Sequence, residues 1–497
     1  MIGADRRGRA AIRYLEVAER FQVEELADVD WRRAVPMVKR YRPAAAIRPP
    51  SLLGSVLHRA FGLTRYHWGD RYADDVRPGV GAVPGAGRLL RTAPSSGSMS
   101  SAELYVIGSV TGIPTGAYHF DPAAMALDPV RPDVTPGDLG LADDSLCLLI
   151  TSVFGRLSFK YDEFGYRLQC LDAGVVAAQV ATVLDDCGLN GQVHGCFDGV
   201  GAARLLGLDP MAERPLAVVT VVGLPPSGIV GDSDDTGSAP ATPTPRTRPP
   251  RVLDDLPRTS GLCRASDVVH DVVEPGPAPL EVPETAETFG IPVVPIALAS
   301  GWRTRRSMDG RFGTGSVGID ALAAVLGAGG GGWSGEVGAE HVLLYSIVLD
   351  VRGIDCGVYV YDRQAHTADR LRSADLRTDV WPHAPQNRVQ GDHRASFFVF
   401  PVGDYAAGFA VYGSRWYQLQ NIAAGISAQR TMLGAAAVGL GSRAMCSYDP
   451  GQVSTLLGLP TNLRPLCQIQ VGPVDSSNGY TQPVSLRDCV APDAGSH

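Results

Sequence analysis

The sequence lacks the features of secreted, membrane-spanning and zinc-stabilised proteins. Its nine cysteines are odd in number and lie far apart, with no Cys-x-x-Cys pair and no cluster of histidine and cysteine. This spacing argues against a disulfide framework or a structural zinc site and indicates free thiols in a reducing compartment. The N-terminal segment leads into no apolar stretch, and no apolar run is long enough to span a membrane. We therefore expect a cytoplasmic protein that does not enter a membrane.

The sequence also lacks any concentration of charge. The net charge is −8, the pI is about 5.7, and the basic residues form no long run. Nucleic acid and anionic membrane are therefore not the expected partners. A phosphate group, if one is bound, must be held by a few local residues.

What the sequence does contain is a copy of itself. The segment Tyr166-Arg-Leu-Gln-Cys-Leu-Asp-Ala-Gly174 returns 251 residues later as Tyr417-Gln-Leu-Gln-Asn-Ile-Ala-Ala-Gly425. Upstream, Gly116-Ala-Tyr-His-Phe-Asp121 returns at an offset of 241 as Gly357-Val-Tyr-Val-Tyr-Asp362. Nearly constant offsets over such a span predict two large domains of one fold, here called the first and the second copy, and not a short-period repeat.

The repeat and the local composition divide the chain. We predict an N-terminal helical extension over 1–50, a first domain over 51–224, a linker over 225–288, a second domain over 289–475 and a tail over 476–497. The linker is rich in Pro, Ser, Thr and Asp. It has too little apolar surface to offset the entropy of ordering, so we expect it to be extended and largely disordered. We expect the polar tail to be frayed.

Each copy mixes helical and strand patterns. Apolar residues at helical spacing predict a long buried helix over 166–187, ended by Gly188 in the left-handed conformation. Helices are also expected over 14–23 and 319–326. Runs with strand composition predict core strands at 103–108, 146–154, 215–223, 340–349 and 466–472. The predicted fold class is therefore α+β, present twice.

Several short motifs follow one another in a fixed order. The first copy contains Arg91-Thr-Ala-Pro94-Ser95-Ser96-Gly97, Glu103-Leu-Tyr-Val, Gly116-Ala-Tyr-His-Phe-Asp-Pro122, Phe159-Lys160-Tyr161 and Gly165-Tyr-Arg167. The second contains Arg305-Arg306-Ser307, Arg311-Phe312 and Gly439-Leu-Gly441-Ser442-Arg443. This series resembles the nitroreductase superfamily, and within it the FMN-dependent azoline dehydrogenases that aromatise thiazolines and oxazolines in ribosomally made peptides. The resemblance implies two tandem nitroreductase-like domains.

Members of this family are usually homodimers whose FMN lies in the interface between subunits. One subunit supplies the Arg-Arg-Ser opening and the loop after the long helix, and the other supplies the Pro-Ser-Ser segment and a lid. Here the first copy has Lys39-Arg40-Tyr41-Arg42 where Arg-Arg-Ser should fall. The second has Gly329-Gly-Gly-Gly-Trp-Ser-Gly335 instead of Pro-Ser-Ser, and Val411-Tyr412 instead of Lys-Tyr. We predict a fused pseudodimer with one complete FMN site and one decayed site per chain.

The resemblance also implies a role for each residue. The phosphate of FMN would be bound by Arg305 and Arg306, since guanidinium groups form bidentate, charge-assisted bonds to phosphate. The other FMN-binding residues that it implies are Pro94, Ser95, Ser96, Gly97, Ser307, Arg311, Gly441, Ser442 and Arg443. Arg311 departs from the family pattern, because residues 308–310 make its distance from Ser307 longer than usual.

Lys160 would be the base that removes the proton from the azoline carbon beside the carbonyl, and Tyr161 would orient it or relay the proton. A lysine can do this only if burial or a nearby cation lowers its pKa towards neutrality. Molecular oxygen could reoxidise the flavin, so a nicotinamide cofactor is not required.

Three functions remain open from the sequence. The first is azoline oxidation in a modified precursor peptide, beside a cyclodehydratase. The second is NAD(P)H-dependent flavin chemistry on small molecules, and the third is a flavin-free, peptide-binding scaffold. The pair Lys160-Tyr161 favours the first over the second, because small-molecule nitroreductases do not need it. The simpler alternatives are a solvated loop for this pair and a surface cluster for the arginines.

Two further patterns carry no function in this interpretation. Gly327-x-Gly329-x-x-Gly332 matches the dinucleotide fingerprint formally, but it follows a predicted helix and not a strand, which excludes that function. His119, His194 and His341 have no partners at metal-ligand spacing and are expected to be structural.

Overall fold

The structure is a computed structural model that describes residues 2–23, 29, 33–41, 46–68, 88–110, 112–142, 146–222, 279–283, 287–308, 312–333, 335–336, 338–380, 394–475 and 480–483. Most of the predicted linker, residues 225–278 and 284–286, lies outside the described residues. Arg42, Arg311 and Ser334 also lie outside them.

The described helices are α1 (Ile2–Val23), α2 (Ser51–Phe61), α3 (Gly155–Tyr161), α4 (Gly165–Asp186), α5 (Gly199–Leu205), α6 (Ile319–Gly330), α7 (Arg377–Val380), α8 (Phe409–Tyr412), α9 (Arg415–Ala437) and α10 (Pro450–Leu457). The strands of the first copy are β1 (Leu63–Trp68), β2 (Arg88–Arg91), β3 (Ala102–Val110), β4 (Ile113–Asp121), β5 (Ala126–Pro132), β6 (Leu146–Val153), β7 (Asn190–His194) and β8 (Glu213–Val222). Those that follow are β9 (Glu287–Gly290), β10 (Val317–Gly318), β11 (Leu343–Val348), β12 (Val351–Arg352), β13 (Gly357–Asp362), β14 (Thr367–Ser373), β15 (Phe397–Gly403), β16 (Leu440–Met445), β17 (Arg464–Pro465), β18 (Gln468–Pro473) and β19 (Tyr480–Pro483).

Each copy is built around one antiparallel sheet. The first sheet has the order β5-β4-β3-β6-β8-β7, and the second has the order β16-β18-β15-β11-β13-β14-β9, with β17 beside β15. When equivalent strands are matched, the two orders agree, and β9 is an added edge strand in the second copy. The α+β fold in two tandem domains, expected from the repeated motifs, is confirmed.

The long helices α4 and α9 pack against each other at the centre of the molecule. Gly174 and Gly425, which occupy equivalent places in the repeat, make this close approach possible: a Cβ at Gly174 would overlap the carbonyl of Ile422, and one at Gly425 would overlap that of Leu171. The main hydrophobic core contains residues from both copies, on both sides of this crossing. The two copies therefore form a pseudodimer whose interface is part of the core.

The predicted helix over 166–187 is confirmed as α4, and Gly188 has a positive φ of 72°. The stretch Gly155–Asp186 is long and apolar enough to span a membrane, but 89% of its apolar window is buried inside the protein. Burial of this kind is expected of the core helix of a globular domain.

The predicted strand over 340–349 begins later than expected. Residues Ala339–His341 form a 3₁₀ turn, and the strand starts at Leu343. The Arg363 guanidinium donates to the carbonyls of Ala339 and Val342, which fixes the chain in this turn.

The polar tail differs from the prediction that it is frayed. Its residues Tyr480–Pro483 form β19, which pairs antiparallel with β1 of the first copy. Backbone hydrogen bonds to a neighbouring strand do not depend on apolar side chains, so the composition of the tail did not reveal this pairing. The strand exchange ties the end of the second copy to the start of the first.

The two segments outside the repeat also contact the domains. The C-terminal end of the predicted linker is ordered, because Leu280 donates its amide to the carbonyl of Glu340 and β9 pairs with β14. Helix α1 packs against the segment that follows α3 through a bond from the Tyr14 hydroxyl to the carbonyl of Glu163.

Candidate functional site

Three arginine side chains lie close together where the two copies join: Arg65, Arg305 and Arg306. Arg305 of the second copy is buried, and its Nη2 donates to the carbonyl of Thr92 in the first copy at 3.4 Å. Arg65 on β1 donates to the carbonyls of Arg305 (3.3 Å) and Arg303 (2.9 Å). Burial, together with the charge of Arg65, lowers the pKa of Arg305 to about 10. Burial, together with the charge of Arg306, also lowers the pKa of Arg65.

The Arg305 guanidinium is incompletely paired. Among the described residues, its Nε and Nη1 have no hydrogen-bond partner although both are buried. An unpaired buried cation costs several kcal/mol unless a counter-charge is supplied. The chemistry of this cluster therefore fits an anion with several acceptor oxygens, such as a phosphate.

The rest of the predicted Arg-Arg-Ser motif lies beside β16, which forms a strand where the sequence predicted a loop after the long helix. Ser307 forms an isolated parallel bridge with Ser442, and the amide of Met308 donates to the carbonyl of Ser442 at 3.0 Å. Gly441 lies directly against the Met308 side chain, which leaves no room for a Cβ. Arg443, on the same strand, is half-buried.

The segment Pro94–Gly97 follows β2 by two residues, directly after the Thr92–Arg305 contact. The backbone takes uncommon conformations at the end of this segment and just after it: φ is positive at Gly97 (57°), and at Ser98 (55°) and Ser100 (51°), which follow the segment. Non-glycine residues with positive φ are uncommon, and such strain concentrates at functional sites.

The two serine hydroxyls that were expected to face FMN are bonded within the protein. Ser95 Oγ accepts from the amide of Ser100 at 2.9 Å. The amide and hydroxyl of Ser96 donate to Asp172 on α4 at 2.9 and 2.8 Å, and the Ser101 hydroxyl donates to the same carboxylate at 2.5 Å. These bonds hold the segment Pro94–Gly97 in place.

Lys160 and Tyr161 end helix α3 beside this segment. A Cβ at Gly97 would overlap the Tyr161 hydroxyl, so the tyrosine lies directly on Gly97. Lys160 Nζ is 5.1 Å from the centre of the Tyr161 ring, and both side chains are half-buried. The simpler alternative of a solvated loop therefore does not describe the pair. The motifs of the first copy and Arg305 of the second meet at the interface between the copies.

In the first copy, Lys39 and Arg40 stand where the motif comparison places Arg305 and Arg306, and the chain just before them contacts Arg91 and Arg156 of the same copy. Lys39 is buried, and its Nζ bonds to Glu213 Oε2 at 2.7 Å and to the Tyr105 hydroxyl at 2.8 Å. Burial would lower the pKa of Lys39, but the Glu213 carboxylate outweighs it and raises that pKa. Arg40 has a largely exposed side chain, 3.9 Å from Asp121.

An acidic side chain occupies the loop after α4. Glu336, from the segment that replaces Pro-Ser-Ser, accepts from the amides of Gly195 (3.0 Å) and Cys196 (2.7 Å). Its other oxygen is 3.4 Å from His194 Nδ1. Burial would raise the pKa of Glu336, but these hydrogen bonds outweigh it and the pKa lies below its usual value. Gly335 forms a parallel bridge with Val193, so the segment lies directly against this loop.

In this second region, Tyr412, which corresponds to Tyr161 of the first copy, also packs against the protein. Tyr412 stacks on Trp416 with the two rings 5.8 Å apart and 9° from parallel, and burial raises its pKa to about 12. The Arg415 side chain donates to the carbonyl of Gly195. The described residues of the second half-site therefore satisfy one another.

Comparison with known proteins agrees with this architecture. Residues 353–473 match the model of the nitroreductase family. The crystal structure of an Anabaena variabilis protein described as a nitroreductase superposes with a TM-score of 0.73 at 20% identity, covering 94% of this chain and 99% of the other. The chain has the nitroreductase fold. The tandem arrangement is part of that likeness, because nearly the whole of both chains is covered.

Two further similarities are more limited. The microcin B17-processing protein McbC of Escherichia coli is 26% identical over 149 residues, which is 27% of this chain and 55% of that protein. The chain thus matches about half the length of this curated relative. The E. coli microcin synthetase McbBCD complex with truncated pro-MccB17 is 20% identical over 42% of this chain and 76% of the other, with a TM-score of 0.27, too low to support an inference.

Sequence reasoning missed two residues of the candidate site in this nitroreductase fold. Arg65 lies in an ordinary strand pattern, and only the packing of β1 against residues 303–305 brings it to the cluster. Asp172 lies inside the repeated motif, at the position where the second copy has Ala423. This difference between the copies was the signal from which a role for Asp172 could have been predicted. Burial raises the pKa of Asp172 to about 6.

The predicted structural histidines have protein partners. His119 contacts Glu103 at 3.1 Å, His194 contacts Thr220 at 3.1 Å, and His341 packs edge-on against Trp416. Gly327 and Gly329 lie within helix α6, consistent with the rejection of the dinucleotide fingerprint.

Proposed function

We propose that this chain is an FMN-dependent dehydrogenase that oxidises azolines to azoles in a ribosomally synthesised, modified peptide. The observation that carries the proposal is the junction of two unlike half-sites: the incompletely paired, buried Arg305 donates to Thr92, two residues before the segment whose Gly97 contacts Tyr161. The motif series that resembles azoline dehydrogenases, and the similarity to McbC, support the choice of reaction.

FMN has a phosphate dianion, for which the cluster of Arg65, Arg305 and Arg306 is suited. The charge of Arg306 helps to lower the pKa of Arg65, and the charge of Arg65 helps to lower that of Arg305, so a dianion that enters between these groups would stabilise them. Ser307, Ser442 and Arg443 border this cluster and would hold the polar parts of the cofactor. The backbone of Pro94–Gly97 would approach the cofactor from the first copy, its conformation maintained by Asp172. We propose that Arg311 also binds FMN, and this proposal rests on its place in the motif.

FMN, when bound, would accept the hydride equivalent that the azoline ring loses. Lys160 would take the proton from the carbon beside the carbonyl. Tyr161 contacts both Gly97 and the lysine, so it would orient the amine towards the substrate. A positioned general base contributes about 10² to 10⁴ in rate.

The substrate that this chemistry requires is a peptide already carrying azolines. A cyclodehydratase, which forms such rings from cysteine, serine or threonine, is therefore the partner that we propose. None of the seven described cysteines forms a disulfide, and the reducing cytoplasm is the compartment that we infer for the enzyme.

The stoichiometry of flavin tests the proposal most directly. We expect one FMN per chain, measured by absorbance after acid release from purified protein and by titration of the apoprotein. Protein that refuses FMN would favour a flavin-free scaffold, and two FMN per chain would contradict the single site. Reduction of bound flavin by NAD(P)H, with no oxidation of an azoline peptide, would favour a small-molecule oxidoreductase.

A further inference from the structure

Two cysteines of the second copy lie opposite each other at the end of a strand pair. Strands β16 and β18 pair antiparallel, with Ala444 opposite Ile469 and Met445 opposite Gln468. Continuing this register by one residue brings Cys446 opposite Cys467. Directly opposed residues of an antiparallel pair have Cα atoms about 4.5 to 5.5 Å apart, which lies within the range that a disulfide needs.

The thiols point towards each other's strand. Cys446 Sγ is 3.8 Å from the carbonyl of Leu466, and Cys467 Sγ is 3.7 Å from the carbonyl of Met445. This reciprocal arrangement puts both sulfur atoms in the space between the two chain segments. Both residues are buried, whereas Met445 and Ser447, on either side of Cys446, are half-buried.

A buried cation from the other copy faces this pair. Arg167 on α4 donates to the carbonyls of Pro465 (3.2 Å) and Leu466 (2.9 Å), which immediately precede Cys467. It is linked through Gln22 of α1, which accepts from Arg167 at 2.9 Å and donates to the carbonyl of Cys446 at 2.6 Å. The guanidinium is thus fixed beside both sulfur-bearing residues, where it favours a thiolate.

The two thiols are not equivalent. A hydrogen bond from Cys467 and the charge of Arg167 lower the pKa of Cys446, against the effect of burial. The same contact with Cys446, together with burial, raises the pKa of Cys467. Cys446 is therefore the better nucleophile of the pair. The first copy has Gly195 and Leu216 at the corresponding positions, so only the second copy carries the pair.

We propose that Cys446 and Cys467 form a redox-active pair that small-molecule disulfides convert reversibly into a cross-strand disulfide. The Cys446 thiolate attacks one sulfur of the oxidant and releases one small thiol. The Cys467 thiolate then attacks Cys446 in the mixed disulfide and releases the second. Two protein thiols and one small disulfide thus become one protein disulfide and two small thiols. A reducing compartment returns the pair to thiols.

The test is equilibration of the purified full chain in glutathione buffers of increasing oxidised fraction, followed by alkylation and digestion with chymotrypsin. Cleavage after Tyr448 separates the two cysteines, so a disulfide appears as linked peptides with the mass of two hydrogens missing. We expect this link in the native protein and its disappearance on reduction. Cys196→Ser, which changes a buried cysteine of the first copy, should retain it.

Two single variants distinguish the nucleophile from its partner. Cys467→Ser should accumulate a glutathione adduct on Cys446, whereas Cys446→Ser should leave Cys467 largely unmodified. Thermal unfolding of both variants checks that they are folded, and the wild-type link can be read without them. The proposal is overturned if the native chain forms no link between these residues in any buffer. It is also overturned if disulfides between these residues and other cysteines are as abundant as the disulfide between Cys446 and Cys467.

Discussion

The two half-sites are built from equivalent segments of the repeat but differ in how their charges are satisfied. In one, Arg305 keeps two buried nitrogen atoms without a partner among the described residues. In the other, Glu336 satisfies the loop amides that an external ligand could otherwise use. Both are surrounded by the same packed helices, so the fold does not distinguish them.

This comparison shows that a binding site can be recognised by the buried polar groups that the protein itself leaves without partners. A half-site that has lost its ligand must satisfy its backbone amides and buried cations internally, because unpaired groups are costly away from water. Glu336 does this on one side. On the other side the incomplete pairing of Arg305 persists, which is why we infer that a ligand completes it.

The sharpest test of this asymmetry compares the two lids. Lys160→Met should reduce azoline oxidation by about 10² to 10⁴, the usual effect of losing a general base, with FMN still bound. Tyr412→Phe, at the equivalent place in the second copy, should change the rate by no more than a few tenths of a kcal/mol in activation free energy. The measurement is the loss of two hydrogens per azoline under single-turnover conditions. Full activity in Lys160→Met would show that the working site lies in the other half of the molecule.

The next test compares two cations, Arg305 of the second copy and Arg40 of the first. Arg305→Met should weaken FMN binding by roughly tenfold to a hundredfold, since charged hydrogen bonds contribute about 1.5 to 3 kcal/mol and 1.4 kcal/mol corresponds to a factor of ten. Arg40→Met, at the exposed cation of the first copy, should leave binding unchanged. Flavin fluorescence titration measures both dissociation constants.

Stability separates this effect from misfolding. Removing an unpaired buried charge should leave the apoprotein at least as stable as the wild type, so weak binding with a preserved unfolding transition supports the assignment. Equal losses of affinity in Arg305→Met and Arg40→Met would remove the distinction between the half-sites.

A third test removes the Glu336 carboxylate from the half-site that it occupies. Glu336→Ala should lower the free energy of unfolding by about 1 to 3 kcal/mol, because it leaves the amides of Gly195 and Cys196 without their acceptor. Glu340→Ala removes a half-exposed carboxylate nearby and should change it by less than about 0.5 kcal/mol. Thermal unfolding gives both values. We expect the FMN stoichiometry to remain one, because the second copy also lacks the Pro-Ser-Ser segment and the Lys-Tyr pair. A second bound FMN would show that Glu336 alone closes that side.

The last test concerns Asp172, at the position where the second copy has Ala423. Burial raises its pKa in the folded state to about 6, above that of an unfolded aspartate near 3.9. The folded state therefore binds the proton more tightly, so this group lowers stability as pH rises from about 4 to 6, and the loss is complete above pH 6. Asp172→Asn should remove this component from the pH dependence, measured by thermal unfolding between pH 4 and 8. An unchanged profile would mean that Asp172 is ionised at its ordinary pKa.

The fold was largely predictable because its signals are local or repeated. Helix α4 follows from apolar spacing and from Gly188, and the core strands follow from their β-branched composition. Arg305, Ser307 and Ser442 could be proposed together because the motif resemblance links segments far apart in sequence. The contacts of Arg65, Glu336 and the Cys446–Cys467 pair could not be predicted, since each joins segments whose local patterns are ordinary.

By itself, the sequence determined the duplication, the α+β class, the position of the long helices and the unequal distribution of motifs between the copies. These properties follow from the spacing of residues, either within a few helical turns or at the offset between the two copies. Tertiary structure alone decided that Tyr480–Pro483 pairs with β1, that Ser96 bonds to Asp172, and that Arg305 remains incompletely paired while Lys39 does not. Whether a polar group is satisfied depends on which distant partner packing brings within about 3 Å, and no local pattern specifies that distance.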